Sequence, residues 1–214
     1  IVMIEYCFPF LTVTVLKTIA SDKQAEVVFK DVKVSGDDVF TNPAKVQHVR
    51  NMATNLECAY LVGLAQRDFE ISVNYAKERV QFGKPIREFG LIKQKVGQMV
   101  VDCYASESTV HMVAALADQG YEDYAVEAAI SKVFASEALW RCADEALQTA
   151  GGNGYMTEFP YERIVRDARI NRIFEGTNEI LRLFIALTAM DDVGRSLKEL
   201  SKSLQGVFED PIKG

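Results

Sequence analysis

From about Val46 onward the chain runs in long windows of helical apolar spacing with few breakers, and this limits its folding options severely. Long helices joined by short turns must fold back along one another. The windows are about Lys45 to Glu78, about Phe89 to Asp118 and about Asp123 to Ala150; a fourth unit breaks at Pro160 and resumes as Tyr161 to Asn171 and Asn178 to Ala189. The first joint is Phe82-Gly83-Lys84-Pro85, where glycine and proline stop helix propagation. The second window carries Ile92, Val96, Met99, Cys103, Val110, Val113 and Ala117 as one apolar stripe. In the third, Val126, Ile130 and Val133 lead into Ala135, Leu139, Cys142, Ala146 and Ala150, whose small side chains allow close helix approach.

Ahead of the helices the pattern differs. Residues 11–34 run β-branched or alternate, as TVTVL and AEVVFKDVKV, which is strand chemistry. The change falls near residues 36–45, where Gly36, Asn42 and Pro43 lie. The expected fold is therefore mainly α, an up-down four-helix bundle preceded by a small β remnant.

Composition excludes several classes. With 214 residues, 49% of them hydrophobic, the chain makes a sizeable core. Its net charge of −6 and scattered basic residues argue against a nucleic-acid surface. No run approaches the ~18 apolar residues a membrane-spanning helix needs, and no targeting signal is found. Cys7, Cys58, Cys103 and Cys142 form no C-x-x-C pair, and read as core thiols of a reduced compartment. His48 and His111 lack the spacing of a metal site. A start at Ile1 in strand-like sequence reads as a piece whose N-terminus lies further upstream.

Three joints carry residues that a bundle does not require. Phe174-Glu175-Gly176-Thr177-Asn178 places a carboxylate on a turn between an apolar run and a helix with Ile180, Phe184 and Leu187 on one face. Gly176 lets a ligand approach, and Thr177 or Asn178 can cap the helix, whose positive dipole end lies beside the carboxylate. Glu78 to Gly83 sets a guanidinium, an amide and an aromatic ring at a helix end, a set that suits a pyrophosphate and is otherwise a solvated terminus. Gln148 to Tyr155, QTAGGNGY, is a glycine-rich helix end that would let a ligand lie against backbone, or is simply a C-cap and turn.

Taken together, YAKERVQFGKPI (75–86), FGLIKQKVGQM (89–99), QTAGGNGY (148–155), PYERIVRDARI (160–170) and IFEGTNEILR (173–182) resemble the C-terminal half of an acyl-CoA dehydrogenase. The match extends from about Ala25 to Ala189, and the wording FGLI and FEGTNEILRLFIAL is similar to the very-long-chain branch. The resemblance implies that residues 1–40 are closing strands of a middle β-domain, 41–191 the C-terminal helical bundle and 192–214 the start of a further helical extension. It implies FAD as cofactor, an acyl-CoA substrate, electron-transfer flavoprotein as acceptor, and a homodimer or tetramer formed through the bundle. It also implies a bacterial cytoplasm or a mitochondrial matrix as the compartment.

Carried over by residue, Glu175 matches the base that removes the α-proton of the thioester while hydride passes from the β-carbon to FAD, giving a trans-2-enoyl-CoA. Ile173 and Phe174 are expected to keep this carboxylate dry, which raises its pKa towards the working pH. Gly176 matches a substrate contact, and Thr177 and Glu179 match flavin contacts. Arg79, Gln81 and Phe82 match residues that hold the pyrophosphate and flank the cofactor of the neighbouring subunit, and Gln148, Gly151 and Gly152 match adenosine-side contacts. Each site would then be built from two chains.

One departure stands on the first helix. Aligned on Gly63-Leu64-Ala65-Gln66-Arg67, the substrate-side arginine and the acidic residue ahead of it are replaced by Asn55 and Met52. Thr54 occupies the place of an alternative base, with Glu57 about one turn further on. Two alternatives to a dehydrogenase stay open: a non-catalytic assembly protein that reuses the fold, and a related flavoprotein oxidase. With only closing strands of the β-domain present, the chain by itself is expected to be an inactive homo-oligomer that retains little flavin.

Overall fold

The computed structural model describes residues 11–21, 24–36, 39 and 41–209, without the side chains of 11, 192 and 203–209. An antiparallel hairpin of β1 (Leu11–Leu16) and β2 (Gln24–Phe29) comes first, in register from Leu11 opposite Phe29 to Leu16 opposite Gln24. The second strand ends earlier than its β-branched sequence suggests. Asp31 takes φ 53°, a left-handed conformation outside the strand region, and the run to Val34 leaves the sheet. The hairpin is fastened to the helices through its loop. Arg166 Nη1 donates to the Ile19 carbonyl at 2.6 Å, and the Asp167 carboxylate accepts from the Ser21 backbone N–H and hydroxyl.

The first helix, α1 (Pro43–Glu78), starts where local chemistry dictates. Asn42 Oδ1 accepts from the Ala44 and Lys45 amides, and Pro43 fills the first turn, where its missing N–H costs nothing. It ends at a small ribbon, β3 (Val80–Gln81) and β4 (Lys84–Pro85), turned by Phe82 at φ 52° and Gly83 at φ 80°. Positive φ at both turn positions matches the right-handed twist of a tight hairpin, and Phe82 adopts it without the freedom of glycine. Then come α2 (Gly90–Asp118), α3 (Ala125–Ala150), the short α4 (Tyr161–Ala168) and α5 (Asn178–Glu209).

Side-chain pairs give the directions. Asn55 meets Val110 and Gln66 meets Glu107, so α2 descends against α1; Lys95 meets Glu145 and Asp102 meets Arg141, so α3 ascends again. The helical bundle is thus the fold expected, with α3 in contact with each of the other helices. Leu61, Ala65, Met99, Leu139 and Ala146 form its centre. Cys58, Cys103 and Cys142 are buried free thiols; Cys7 lies outside the described residues.

Two helix faces differ from the sequence reading. In the first half of α3 the buried positions are Ala128, Ala129, Ser131 and Lys132, whereas Ile130 is exposed. On α5, Ile180, Phe184 and Leu187 are exposed, and the inward side carries fully buried Asn178 with half-buried Leu181 and Ile185. Polar contacts described below fix this rotation. The helix also runs through residue 191 unbroken, so the extension placed after that point begins inside α5.

Candidate active site

Glu175 sits where α5 begins, on the turn that follows a 3-10 segment, Arg169–Arg172. It takes φ 55° and Gly176 φ 88°, so two successive residues are left-handed. A non-glycine residue held there stores strain, and such residues persist only where surrounding contacts fix them. Gly176 has a second constraint, since a Cβ would come within 3.2 Å of the Leu181 side chain. Thr177 is the cap: its hydroxyl accepts from the Ile180 amide at 3.3 Å.

The turn is tied to α3 on both sides. Lys132 Nζ donates to the Gly176 carbonyl at 2.9 Å and to Asn178 Oδ1 at 3.0 Å. Asn178 Nδ2 donates to Ser136 Oγ at 2.9 Å and Glu137 Oε1 at 3.1 Å. Glu137 also pairs with Arg172 before the turn, at 3.3 Å, and Arg182 after it, at 3.2 Å. Burial opposes ionisation of Glu137, but Asn178 and the two guanidinium groups outweigh it and hold its carboxyl below the ordinary value. Lys132, Asn178 and Ser136 are fully buried, and their mutual hydrogen bonds offset the desolvation.

Glu175 faces an open cavity of about 480 Å³ shared with Gln47, Arg50, Asn51 and Thr54 on α1, Ala129 on α3 and Phe184 on α5. Ile173 and Phe174 do not cover it: both are exposed in this chain, as is Glu175. The expected dryness therefore has no source in these two neighbours. Glu57 is close enough for the charges of Lys132 and Glu175 to reach it; burial pushes its carboxyl up, Lys132 opposes this and Glu175 adds to it. Asn55 is elsewhere. Its amide donates to the Val110 carbonyl at 3.3 Å, and with Met52 it lines a different cavity, against α2. Arg50, one helical turn before Thr54, is the α1 arginine that shares a cavity with Glu175, and that spacing was the signal by which sequence reading could have found it.

A second cavity, of about 260 Å³, brings together Arg79 from the C-cap of α1 and Gln81 from the ribbon with Gly151 and Gly152 from the glycine-rich turn. Tyr75 joins the two segments: its hydroxyl donates to the Ala150 carbonyl at 3.0 Å and accepts from Asn153 Nδ2 at 3.1 Å. Phe82 stands beside the ribbon, 92% exposed. Gln148 is exposed, with its carbonyl accepting the capping N–H of Gly151. Glu179 is exposed on the first turn of α5, where its charge reaches Lys132.

The glycines of this turn have separate reasons. Gly151 lies at φ 61°, and a Cβ on Gly154 would come 2.3 Å from the Leu147 carbonyl oxygen. Gly152 has neither constraint, being open on the cavity side with nothing within 4 Å of a Cβ. Thr149 Oγ1, in the same cavity wall, is buried without a hydrogen-bond partner. An unused donor, a guanidinium, an amide and an unhindered glycine form a set that fits a phosphate-bearing cofactor.

The sequence model described as "Acyl-CoA dehydrogenase, C-terminal domain" matches residues 46–190, which hold both cavities. The chain belongs to the acyl-CoA dehydrogenase family. It is 43% identical over 194 residues to the mitochondrial very long-chain specific acyl-CoA dehydrogenase of Macaca fascicularis, a match covering 89% of this chain and 30% of that protein. The chain thus spans under a third of the length of that relative. Among solved structures, a glutaryl-coenzyme A dehydrogenase in complex with glutaryl-CoA superposes with a TM-score of 0.79 at 30% identity, covering 86% of this chain and 48% of the other. An acyl-CoA dehydrogenase of Bacillus anthracis complexed with FAD gives 0.75 at 31% identity, covering 94% and 38%. Among the described residues of this family member, no helix is long and apolar enough to cross a membrane.

Proposed function

We propose that the protein carrying this chain catalyses FAD-dependent α,β-dehydrogenation of an acyl-CoA thioester, with Glu175 as the base. The observation that carries this reading is a carboxylate on a doubly left-handed turn, fixed from behind by a buried polar network and facing a cavity walled by α1, α3 and α5. An α-proton is a weak acid, so its removal needs a carboxylate held at one place and donors on the thioester oxygen. Glu175 supplies the first through its side chain. Its backbone N–H has no acceptor among the described residues and is free to serve as such a donor. Arg50 places a cation in the same cavity for the anionic part of the substrate.

Arg79, Gln81, Gly151 and Gly152 would hold the cofactor's diphosphate and adenosine side, with Phe82 beside it. When bound, FAD supplies the two-electron acceptor, and electron-transfer flavoprotein is the proposed partner that takes those electrons on. Exposed Leu183, Leu187 and Met190 on α5 and Leu56 and Tyr60 on α1 support association with a second copy. This chain alone is expected to be catalytically silent.

The test is Glu175→Gln in a protein that also carries the domains its relatives have ahead of this region. The amide cannot take a proton, so FAD should stay bound while its reduction by acyl-CoA falls about 10³-fold or more. Reduction at the unaltered rate would remove Glu175 from the role and turn attention to Glu57.

A further inference from the structure

Lys132 has 0% of its surface exposed, on a helix whose neighbouring buried positions are the small residues Ala128, Ala129, Ser131, Ala135 and Ser136. A lysine is almost never fully buried unless it is paired, and an apolar side chain would fill such a position at lower cost. The packing of α3 therefore does not explain it. Its two hydrogen-bond acceptors do, because both belong to the Glu175 turn: the Gly176 carbonyl and the Asn178 amide oxygen. Holding the Gly176 carbonyl fixes the plane of the Gly176–Thr177 peptide, one residue after Glu175, whose own left-handed φ needs such support.

The charges around Lys132 come from three elements. Glu57 acts on it from α1, Glu175 from the turn and Glu179 from α5, while the neighbouring Cys58 thiol, pushed up to about 11 by burial, stays neutral. Burial pushes the Lys132 ammonium towards the neutral form, and the three carboxylates oppose that. Glu57 contributes as a charge without a contact of its own, since its Oε1 is buried with no hydrogen-bond partner.

We propose that Lys132 is the positioning residue of this site: it locks the Glu175 turn through the Gly176 carbonyl and Asn178 Oδ1. The proposal rests on the reading of Glu175 as base only for its consequence in catalysis. The turn geometry is measurable without it.

Two variants test it. In Lys132→Met, hydrogen exchange at the Ile180 and Leu181 amides, which donate to Thr177, should quicken about tenfold or more, while the α1–α2 core stays protected. Unchanged protection would overturn the positioning role. Glu57→Gln removes a partly buried carboxylate that makes no hydrogen bond through Oε1, so it keeps the fold even if Lys132→Met does not. In Glu57→Gln, which leaves both Lys132 hydrogen bonds in place, exchange at the Ile180 and Leu181 amides should stay within about twofold of the unaltered chain. The quickening of Lys132→Met appearing here too would overturn the positioning role. Quickened exchange in Lys132→Met beside full activity in Glu175→Gln would keep the positioning role and remove the base assignment. Unaltered exchange beside an inactive Glu175→Gln would do the reverse.

Discussion

The two ends of α3 present opposite kinds of site. Near its start, Lys132, Ser136 and Glu137 meet the Glu175 turn through hydrogen bonds that are all made within the chain. At its end, Thr149 Oγ1 has no partner, Gly152 has open space beside it and Arg79 lines a cavity. The first arrangement satisfies Lys132, Asn178 and Ser136 within the chain, as suits a turn held in place before any ligand arrives. The second leaves polar groups open to a cavity, as the proposed cofactor contact requires. Mutations should therefore cost stability at one end and ligand affinity at the other.

The largest expected effect on stability is at Asn178. Asn178→Leu leaves Lys132, Ser136 and Glu137 each short of a partner and should lower unfolding free energy by about 3 kcal/mol in denaturant titration. A loss below about 1 kcal/mol would break the comparison, since the turn would then not depend on its network.

Between the two ends, α1 buries Asp68, whose Oδ2 has no hydrogen-bond partner. Burial pushes its carboxyl up to about 7, with only Arg67 opposing. The folded chain thus keeps a proton that the unfolded chain releases near pH 4, so the contribution of this group falls as pH rises from about 4 to about 7. Asp68→Asn should then stabilise the chain by on the order of 2 kcal/mol at pH 8 and by little near pH 4, in melts run across that range. Equal effects at both pH values would mean that Asp68 is charged throughout.

The smallest stability effects belong to the glycine-rich end. Arg79→Ala should change unfolding free energy by less than about 0.5 kcal/mol, yet weaken FAD retention about 100-fold in the protein with its further domains. Gly152→Ala sharpens the point. Its Cβ meets nothing in the chain, so stability should hold within about 0.5 kcal/mol, while FAD binding drops about tenfold as the methyl group intrudes on the cavity. Parallel losses of stability and binding in either variant would assign that residue to the fold.

Apolar periodicity and the glycine and proline joints determined, by themselves, where the long helices run and that they fold back on one another. They did so because helix formation and its termination are local. Asn42 and Pro43 start α1 through atoms two or three residues away, and Phe82-Gly83 turns the ribbon through its own dihedral angles. The wording around Glu175, Arg79 and Gly151 was equally visible, since each motif is short and contiguous. The same periodicity placed Met99, Cys103 and Val113 of α2 and Ala135, Leu139, Cys142, Ala146 and Ala150 of α3 inward, but the inward faces of α5 and of the start of α3 were decided by the tertiary structure. Leu181 and Ile185 lie inward in place of Ile180, Phe184 and Leu187 because Asn178 is held by residues more than forty positions earlier. Lys132 reads in sequence as an ordinary helical lysine, and Asn55 as a neighbour of the site. Only the packing of α1, α3 and α5 buries the one behind the Glu175 turn, and only contact with α2 directs the other to a different cavity. Burial and charge depend on what the rest of the chain brings near, and no local pattern encodes that.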